Sequence, residues 1–287
     1  MSRNRDLRLC AAALIAAIAV PAPTAAAPEP LAPAAITPDI RDDTAATEPL
    51  RLQLAQSLGH TEVVLTHMRE TLSNNPNDWT DTQLELVRQF APRKLLIGRV
   101  TGSERFGLHD NTLGLSGYYP LGERTTAYAE ATASDTHRVL ARDSLHLQLA
   151  RSLPQGWGAS AGLRHVTYNT TVVDIADLTL ERYFSDYRVA LTAYPSHSQV
   201  AGSAASYRLQ FSRYYGEANN IQLAIVRGIE VDKPTAVDTV LATSVRSVAL
   251  FGRHWLTRDW GLGYGIGYTV QGSSTRRSAN IGLRYRF

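Results

Sequence analysis

The last stretch of the chain, residues 260–287, repeats apolar and polar positions with a strict period of two. In its first half, Leu262, Tyr264, Ile266, Tyr268 and Val270 alternate with Gly261, Gly263, Gly265 and Gly267. After a turn at residues 271–275, Ala279, Ile281, Leu283, Tyr285 and Phe287 alternate with Asn280, Gly282, Arg284 and Arg286. Successive side chains of a β-strand point to opposite faces, so this stretch predicts an antiparallel hairpin.

The chemistry of the two faces indicates the surroundings of this hairpin. One face is apolar and carries no charge, whereas the other combines glycine with arginine. Such a pair of faces is typical of a strand that has lipid on one side and a polar barrel interior on the other. The alternative, an edge strand of a soluble β-sandwich, does not explain why the alternation recurs upstream.

From residue 59 onward, alternating segments are separated by turn signals rich in Pro, Gly, Asn and Asp. We count about fourteen such segments, which predicts an all-β fold, a single antiparallel transmembrane β-barrel with short periplasmic turns and longer outer loops. Bacterial barrels have an even strand number, so an error in this count would be a whole hairpin. The barrel would have twelve strands if one predicted hairpin is absent, and sixteen if one hairpin was missed. The longest predicted outer loops are residues 134–142, 195–204 and 231–242.

Aromatic residues are predicted to form a girdle at each end of the barrel, where hydrocarbon meets headgroups. The periplasmic girdle comprises Tyr118, Tyr119, Trp157, Tyr183, Phe184, Tyr187, Tyr214, Tyr215, Trp255, Trp260, Tyr285 and Phe287, and the sparser outer girdle Trp79, Tyr168 and Tyr194.

The N-terminal residues are predicted to be a targeting segment. Residues 1–26 combine three arginines with the apolar run 9–20 and small residues, which predicts a secretory signal peptide cleaved after Ala26. Cys10 precedes the apolar core instead of following it, which disfavours a lipoprotein. Residues 27–58 are rich in Pro and Ala and predict a flexible periplasmic leader ahead of the barrel at 59–287.

Composition excludes several other classes of protein. After the N-terminus no apolar run approaches the ~18 residues of a membrane-spanning helix. The formal net charge of +3 includes the arginines of the signal peptide, so no nucleic-acid partner is predicted. Cys10 is the only cysteine and the histidines show no ligand spacing, so we predict no metal site and no cofactor.

Charged residues on the polar faces are the candidate functional groups. Those predicted to line the lumen and set its charge selectivity are Glu130, Arg164, Glu181, Arg188, Arg208, Arg284 and Arg286. Charges inside a closed barrel must pair with each other or contact water. A pore or an accessory in solute or surface-glycan passage is the leading interpretation. A closed structural barrel and a surface adhesin or receptor that acts through its outer loops are the alternatives.

A lipid hydrolase is a further alternative, for which the candidate is Ser196-His197-Ser198 in a predicted outer loop. His109, Asp110, Asp135 and His137 lie on other outer loops. A serine nucleophile needs a base within hydrogen-bond reach and a third group that holds the base. Neighbours on a loop do not supply this arrangement, so we predict no catalytic residues and no enzyme.

The final strand, residues 280–287, resembles the C-terminal signal of bacterial outer-membrane barrels. That resemblance implies that the barrel-insertion machinery recognises Gly282, Tyr285 and Phe287.

Short motifs in a fixed order make the chain from residue 60 onward similar to the YaiO family of outer-membrane β-barrels. They are Asp78-Trp79, Arg105-Phe106-Gly107 with Asp110, Tyr119-Pro120-Leu121, Gly162-Leu163-Arg164, Tyr183 with Asp186-Tyr187-Arg188, and Arg213-Tyr214-Tyr215-Gly216. The resemblance implies the outer membrane of a Gram-negative bacterium, contact with its lipids and a poorly defined biochemical role. Similar barrels occur beside exopolysaccharide machinery, often behind helical repeats, and residues 28–58 are too short for such repeats. A surface-polysaccharide apparatus is therefore only a possible partner.

Overall fold

The computed structural model describes residues 59–73, 75–216, 218–232, 240–272 and 274–287. The predicted signal peptide and leader lie outside the described residues. Within these ranges no helix has the length and apolar character needed to cross a membrane.

Fourteen antiparallel strands form one closed barrel, which confirms the predicted fold class and strand number. The strands are β1 Thr61–Leu72, β2 Asn75–Ala91, β3 Lys94–Arg105, β4 Leu108–Pro120, β5 Thr125–Ser134, β6 Asp143–Ser152, β7 Trp157–Thr167, β8 Val172–Phe184, β9 Tyr187–Ser198, β10 Gly202–Tyr215, β11 Asn219–Asp232, β12 Leu241–Trp255, β13 Trp260–Gln271 and β14 Ser274–Arg286. One 3₁₀ turn, Pro154–Gly156, lies between β6 and β7.

The barrel closes between its first and last strands, and every other strand pairs with its neighbour in sequence. Glu62 of β1 lies opposite Arg286 of β14, and the Phe287 amide donates to the Thr61 carbonyl at 2.9 Å. Closure leaves no unpaired sheet edge, which is what a β-structure needs in lipid.

The two ends of the barrel can be told apart by their connections. The end that holds Gly59 and Phe287 has tight turns such as 92–93 and 185–186, whereas the opposite end has the long connection 135–142. Short turns face the periplasm in bacterial barrels, so the first end is assigned to the periplasm.

The predicted outer loop 195–204 is wrong, because most of it is strand. β9 continues to Ser198 and β10 begins at Gly202. Pro195 lies opposite Ala205 in the ladder, and backbone pairing across the hairpin outweighs the loop preference of Pro, Ser and Gly.

A belt of exposed apolar side chains surrounds the barrel. Leu163 is 68% exposed and Ile281 is 59% exposed, although both lie in the middle of strands. An apolar surface of this extent requires lipid around it. Exposed aromatics at the periplasmic end, which agree with the predicted girdle, are Tyr119, Phe184, Tyr187, Trp260 and Phe287.

Several predicted girdle residues instead point into the barrel. Trp79 and Tyr194, assigned to the outer girdle, are 2% and 7% exposed, and Tyr118 and Tyr214 of the periplasmic girdle are also buried. Tyr168, the remaining member of the predicted outer girdle, packs on a buried apolar cluster. The four buried residues face inward because each shares its strand's parity with other buried residues, as Trp79 does with Glu85.

The turn between β6 and β7 depends on Gly156. Its φ is +81°, and a Cβ at this position would overlap the carbonyl oxygen of Tyr183. Gly156→Ala is therefore expected to lower the free energy of unfolding by about 2 kcal/mol, measured by urea unfolding of the refolded barrel. Gly122→Ala, in the next tight turn towards the N-terminus and with open space around its Cβ, is the matched control. Equal stability of the two variants would contradict the steric argument.

Candidate functional site

The barrel interior holds an elongated cavity of about 240 Å³. Its lining residues come from near the outer ends of strands, such as Val173 and Val231, and from near the periplasmic ends, such as Arg253 and Arg284. No lining residue belongs to β9 or β10 in the described chain. The cavity therefore follows the barrel axis on one side of the interior.

Positive charge predominates on the cavity wall. Six arginines and three carboxylates line it: Arg99, Arg105, Arg164, Arg253, Arg276 and Arg284 against Asp81, Glu85 and Glu130. Among the lining residues this is a formal excess of three positive charges, which is reduced by Glu62 and Glu70, two carboxylates outside the lining that lie 2.9 Å from Arg284 and 3.8 Å from Arg276. An excess of one sign between low-dielectric walls raises the local concentration of ions of the opposite sign.

Four of these groups form a central charge network, which consists of Glu85, Arg99, Glu130 and Arg164. Arg99 Nε donates to Glu85 at 2.8 Å and Arg164 Nη2 donates to Glu130 at 3.2 Å. Arg99 Nη1 also lies 3.9 Å from Glu130, which accepts a further hydrogen bond of 2.8 Å from Tyr128. Buried charges are tolerated only when they are paired in this way, so the network fixes charge of both signs halfway along the lumen.

The periplasmic end of the interior is organised around Glu62. This carboxylate accepts hydrogen bonds from Arg284 at 2.9 Å and from Arg286 at 3.3 Å, and His60 Nε2 lies 3.1 Å from it. The Arg286 guanidinium stacks 3.7 Å from the centre of the Trp255 ring. One carboxylate thus holds two arginines at this end of the barrel.

One side of the outer end of the interior is apolar. A buried cluster here comprises Val166, Val173, Ile175, Tyr194, Val231 and Val240, with Ala141, Tyr168, Ala201 and Ala204 packed against it. The other side of the outer end carries Arg105 near Asp81 and Arg276 near Glu70, so a solute that enters from outside meets an apolar face and a charged face before it reaches the central charge network.

The connection 135–142, which we call the mouth loop, folds into this outer end. Its residues Val139, Leu140 and Ala141 line the cavity, and Val139 is 4% exposed. The fully buried Asp110 of β4 accepts backbone N–H groups of the loop: Arg138 at 3.0 Å, Val139 at 2.7 Å and Leu140 at 2.9 Å. It also accepts the hydroxyl of Thr136. One carboxylate thus holds the mouth loop inside the barrel.

A second carboxylate holds the start of the mouth loop. The backbone N–H and side-chain amide of Asn111 donate to Asp135, and these hydrogen bonds hold the pKa of Asp135 well below its usual range. A depressed carboxylate pKa stabilises the folded state at pH above the unfolded-state pKa. This contribution is lost as the pH falls through the folded-state pKa, so only strong acid releases this contact.

Side chains fill the part of the interior that lies next to β8, β9 and β10. Glu181 pairs with Arg188, His146 Nε2 lies 2.9 Å from Asp177, and the hydroxyls of Thr179 and Thr192 lie 2.9 Å apart. These side chains fill space that a wide pore would leave to water.

All seven predicted lumen residues belong to inward-facing positions, but they divide between the two parts of the interior. Glu130, Arg164 and Arg284 line the cavity. Glu181, Arg188, Arg208 and Arg286 do not line it, and the first three are buried in the packed part.

The charged lining residues that were absent from the predicted set are Asp81, Glu85, Arg99, Arg105, Arg253 and Arg276. On β3 the inward face begins with Leu95 and Ile97, so both faces of the strand are apolar at its start. The shared parity of Arg99 and Arg105 with these buried residues is the signal that could have identified them.

The described Ser, His and Asp candidates for a lipid hydrolase do not form a catalytic triad. His197 lies on the exposed face of β9 with its Nδ1 3.0 Å from Ser203 Oγ, and Asp174 is opposite His197 in the sheet. The Asp174 carboxylate, however, bonds to His165 at 2.7 Å, and the Ser198 hydroxyl bonds to Thr171. Asp110, the other candidate acid, binds the mouth loop. Within the described ranges no group of three or more His, Cys, Asp or Glu could hold a metal ion.

A closed antiparallel barrel with an apolar exterior belt and a charged interior defines an outer-membrane β-barrel. The chain belongs to the family of the YaiO membrane beta barrel domain, whose model matches residues 60–233, more than half of the chain. The family predicted from the motifs is confirmed.

Solved structures of outer-membrane barrels share the fold. The CymD monoaromatic hydrocarbon channel is 11% identical, with 82% of this chain and 90% of that chain covered and a TM-score of 0.51. A bacterial polysaccharide outer membrane secretin is 9% identical, with 79% and 98% covered and a TM-score of 0.51. Omp33 of Acinetobacter baumannii is 12% identical, with 81% and 100% covered and a TM-score of 0.49. At these identities the likeness is one of fold alone. No curated protein sequence matches the chain.

Proposed function

We propose that this barrel is a narrow pore of the Gram-negative outer membrane that favours small anionic solutes. The observation that carries the proposal is the elongated cavity, in which six arginines face three carboxylates. Rings and rows of charged side chains are the usual source of ion selectivity in pores. The central charge network would be the selective layer, with the arginines held by Glu62 below it.

The size of the cavity supports a small solute. Its 240 Å³ is below the roughly 300–1,000 Å³ of pockets that hold drug-sized ligands. Small ions and small organic anions fit this space better than a polymeric glycan. A role beside a surface-polysaccharide apparatus would therefore depend on contacts with that apparatus and not on transit of the polymer.

The C-terminal residues support recognition by the barrel-insertion machinery as part of the same proposal. Phe287 is exposed, and its ring packs edge-on against Tyr285 with ring centres 4.8 Å apart. Gly282 instead faces inward, where a Cβ would lie 2.8 Å from the hydroxyl of Thr66. We infer that the aromatic pair is read by the machinery and that Gly282 is required for packing.

The test is single-channel recording of the refolded chain in a planar bilayer under a potassium chloride gradient. We expect a low conductance and a reversal potential that indicates preference for chloride. Arg164→Gln, which removes one lining charge, should lower the anion-to-cation permeability ratio several-fold. Arg151→Gln, an exposed arginine of β6 far from the cavity, should leave it unchanged. A preference for cations, or an equal effect of both variants, would contradict the proposal.

A closed structural barrel is the second candidate, and the packing against β8, β9 and β10 favours it. A wild-type chain that inserts but carries no current would support this candidate and exclude the pore.

A further inference from the structure

Three arginines on the outside of the barrel have no counter-charge among the residues that the structure describes. Arg227 of β11 and Arg246 of β12 lie directly opposite each other, and Arg277 of β14 lies opposite Tyr268 of β13. All three are exposed, and none makes a hydrogen bond or an ion pair within the part of the chain that the structure describes.

This arrangement is unfavourable for the isolated chain. Like charges directly opposite each other destabilise a strand pair, and arginine on the lipid-facing side of a barrel carries its own cost. Two other outward charges near the outer end do have partners: Arg69 bonds to Asp78 at 2.6 Å, and Asp174 bonds to His165 at 2.7 Å. Among the described residues nothing supplies the missing negative charge on β11, β12 and β14, and an anionic ligand would supply it.

The position of these arginines along the barrel axis indicates where the missing negative charge comes from. Exposed Ile225 and Val248 occupy the next outward-facing row on the periplasmic side of Arg227 and Arg246. Ile229, the next outward residue of β11 on the outer side, is also exposed, so the arginines lie within the outermost rows of the apolar belt. Tyr268 is also exposed, as is usual for tyrosine at the headgroup level.

The spacing allows the arginines to act on one headgroup. Arg227 and Arg246 are immediate neighbours across one strand pair. Arg246 and Arg277 are separated by two strand spacings and a two-residue offset, which places their Cα atoms about 12 Å apart. Long arginine side chains from both positions can reach a ligand between them, above Tyr268.

We propose that Arg227, Arg246, Arg277 and Tyr268 form a binding site for a phosphate-bearing acylated glycolipid of the outer leaflet. Guanidinium groups pair with phosphate oxygens through two parallel hydrogen bonds, and the phosphate removes the repulsion between Arg227 and Arg246. The acyl chains lie along the apolar rows below. This site is on the lipid-facing surface, so it is independent of the pore proposal.

The test uses the full chain refolded in a neutral, phosphate-free detergent, with diphosphoryl lipid A and its dephosphorylated form as probes. Native mass spectrometry measures binding, and thermal unfolding measures the ligand-dependent rise in Tm. We expect diphosphoryl lipid A to bind and the dephosphorylated form not to bind. Arg227→Gln with Arg246→Gln should weaken binding on the order of 100-fold, or tenfold for each guanidinium. Arg151→Gln, an outward arginine near the periplasmic end, should bind as the wild type does.

Stability without lipid gives a second readout that separates a lost ligand from a damaged barrel. The double variant should melt at the same temperature as the wild type or higher, because the repulsion is gone. Equal binding of both lipid forms, or unchanged affinity in the double variant, would overturn the proposal. Full stabilisation by inorganic phosphate alone would also overturn it, since the ligand would then be a free anion.

Discussion

Glu181→Gln is expected to lower the free energy of unfolding by about 3–5 kcal/mol. Glu181 and Arg188 are 3% and 2% exposed, and Arg188 Nε donates to the Glu181 carboxylate. The amide would leave a guanidinium buried without an opposite charge. Arg188 Nη1 already has no hydrogen-bond partner, so the interior offers little compensation.

Urea unfolding of the refolded barrel measures this effect. Glu104→Gln, the same chemical change on an exposed residue of β3, is the matched control and should stay within about 0.5 kcal/mol of the wild type. Combining Glu181→Gln with Arg188→Met should recover much of the loss, because an apolar pair replaces a broken ion pair. A loss no larger than that of the control would show that the pair does not stabilise the barrel.

The Glu181→Gln substitution also distinguishes the role of the packed interior from the role of the cavity. Glu181 does not line the cavity, so barrels that remain folded should keep the wild-type ion preference. Glu130 is inward and buried in the same way but does line the cavity, and its replacement should change both stability and selectivity.

This distinction could not be predicted from the sequence. A period of two indicates which face of a strand a residue occupies, and in the structure both carboxylates are buried. It does not state which side chains fill the space around each one. That depends on register between strands, such as Glu181 opposite Ala190 and Glu130 opposite His146, which no single strand encodes.

The fold was more predictable than the site, and most predictable at the periplasmic end. Turn residues such as Pro92-Arg93 and Pro154-Gln155-Gly156 are concentrated there, and the strands end at them. At the outer end, Pro195 and Gly202 indicated a loop, but ladder pairing extends the strands through them. The inward fold of the mouth loop depends on Asp110, which is about 28 residues away from the amides that it binds.

Asp110→Ala is expected to release the mouth loop and to raise the conductance several-fold. Three backbone N–H groups and one hydroxyl would lose their acceptor, at a cost of about 1–3 kcal/mol for each donor left buried. Outside the barrel these donors can bond to water. In the variant the free energy of the mouth loop is therefore lower outside the barrel than inside it, although the loss of Val139 burial opposes the exit.

Two measurements on the same variant test this mechanism. Limited proteolysis should cleave the variant within residues 136–141 faster than the wild type, and single-channel recording should show the larger current. Chloride preference should persist, because the six lining arginines remain in place. Asp174→Ala removes an exposed carboxylate that does not touch the mouth loop, and it should change neither readout. Faster cleavage with an unchanged current would place the narrowest point below the mouth, at the central charge network. Unchanged cleavage would mean that Asp110 does not hold the loop.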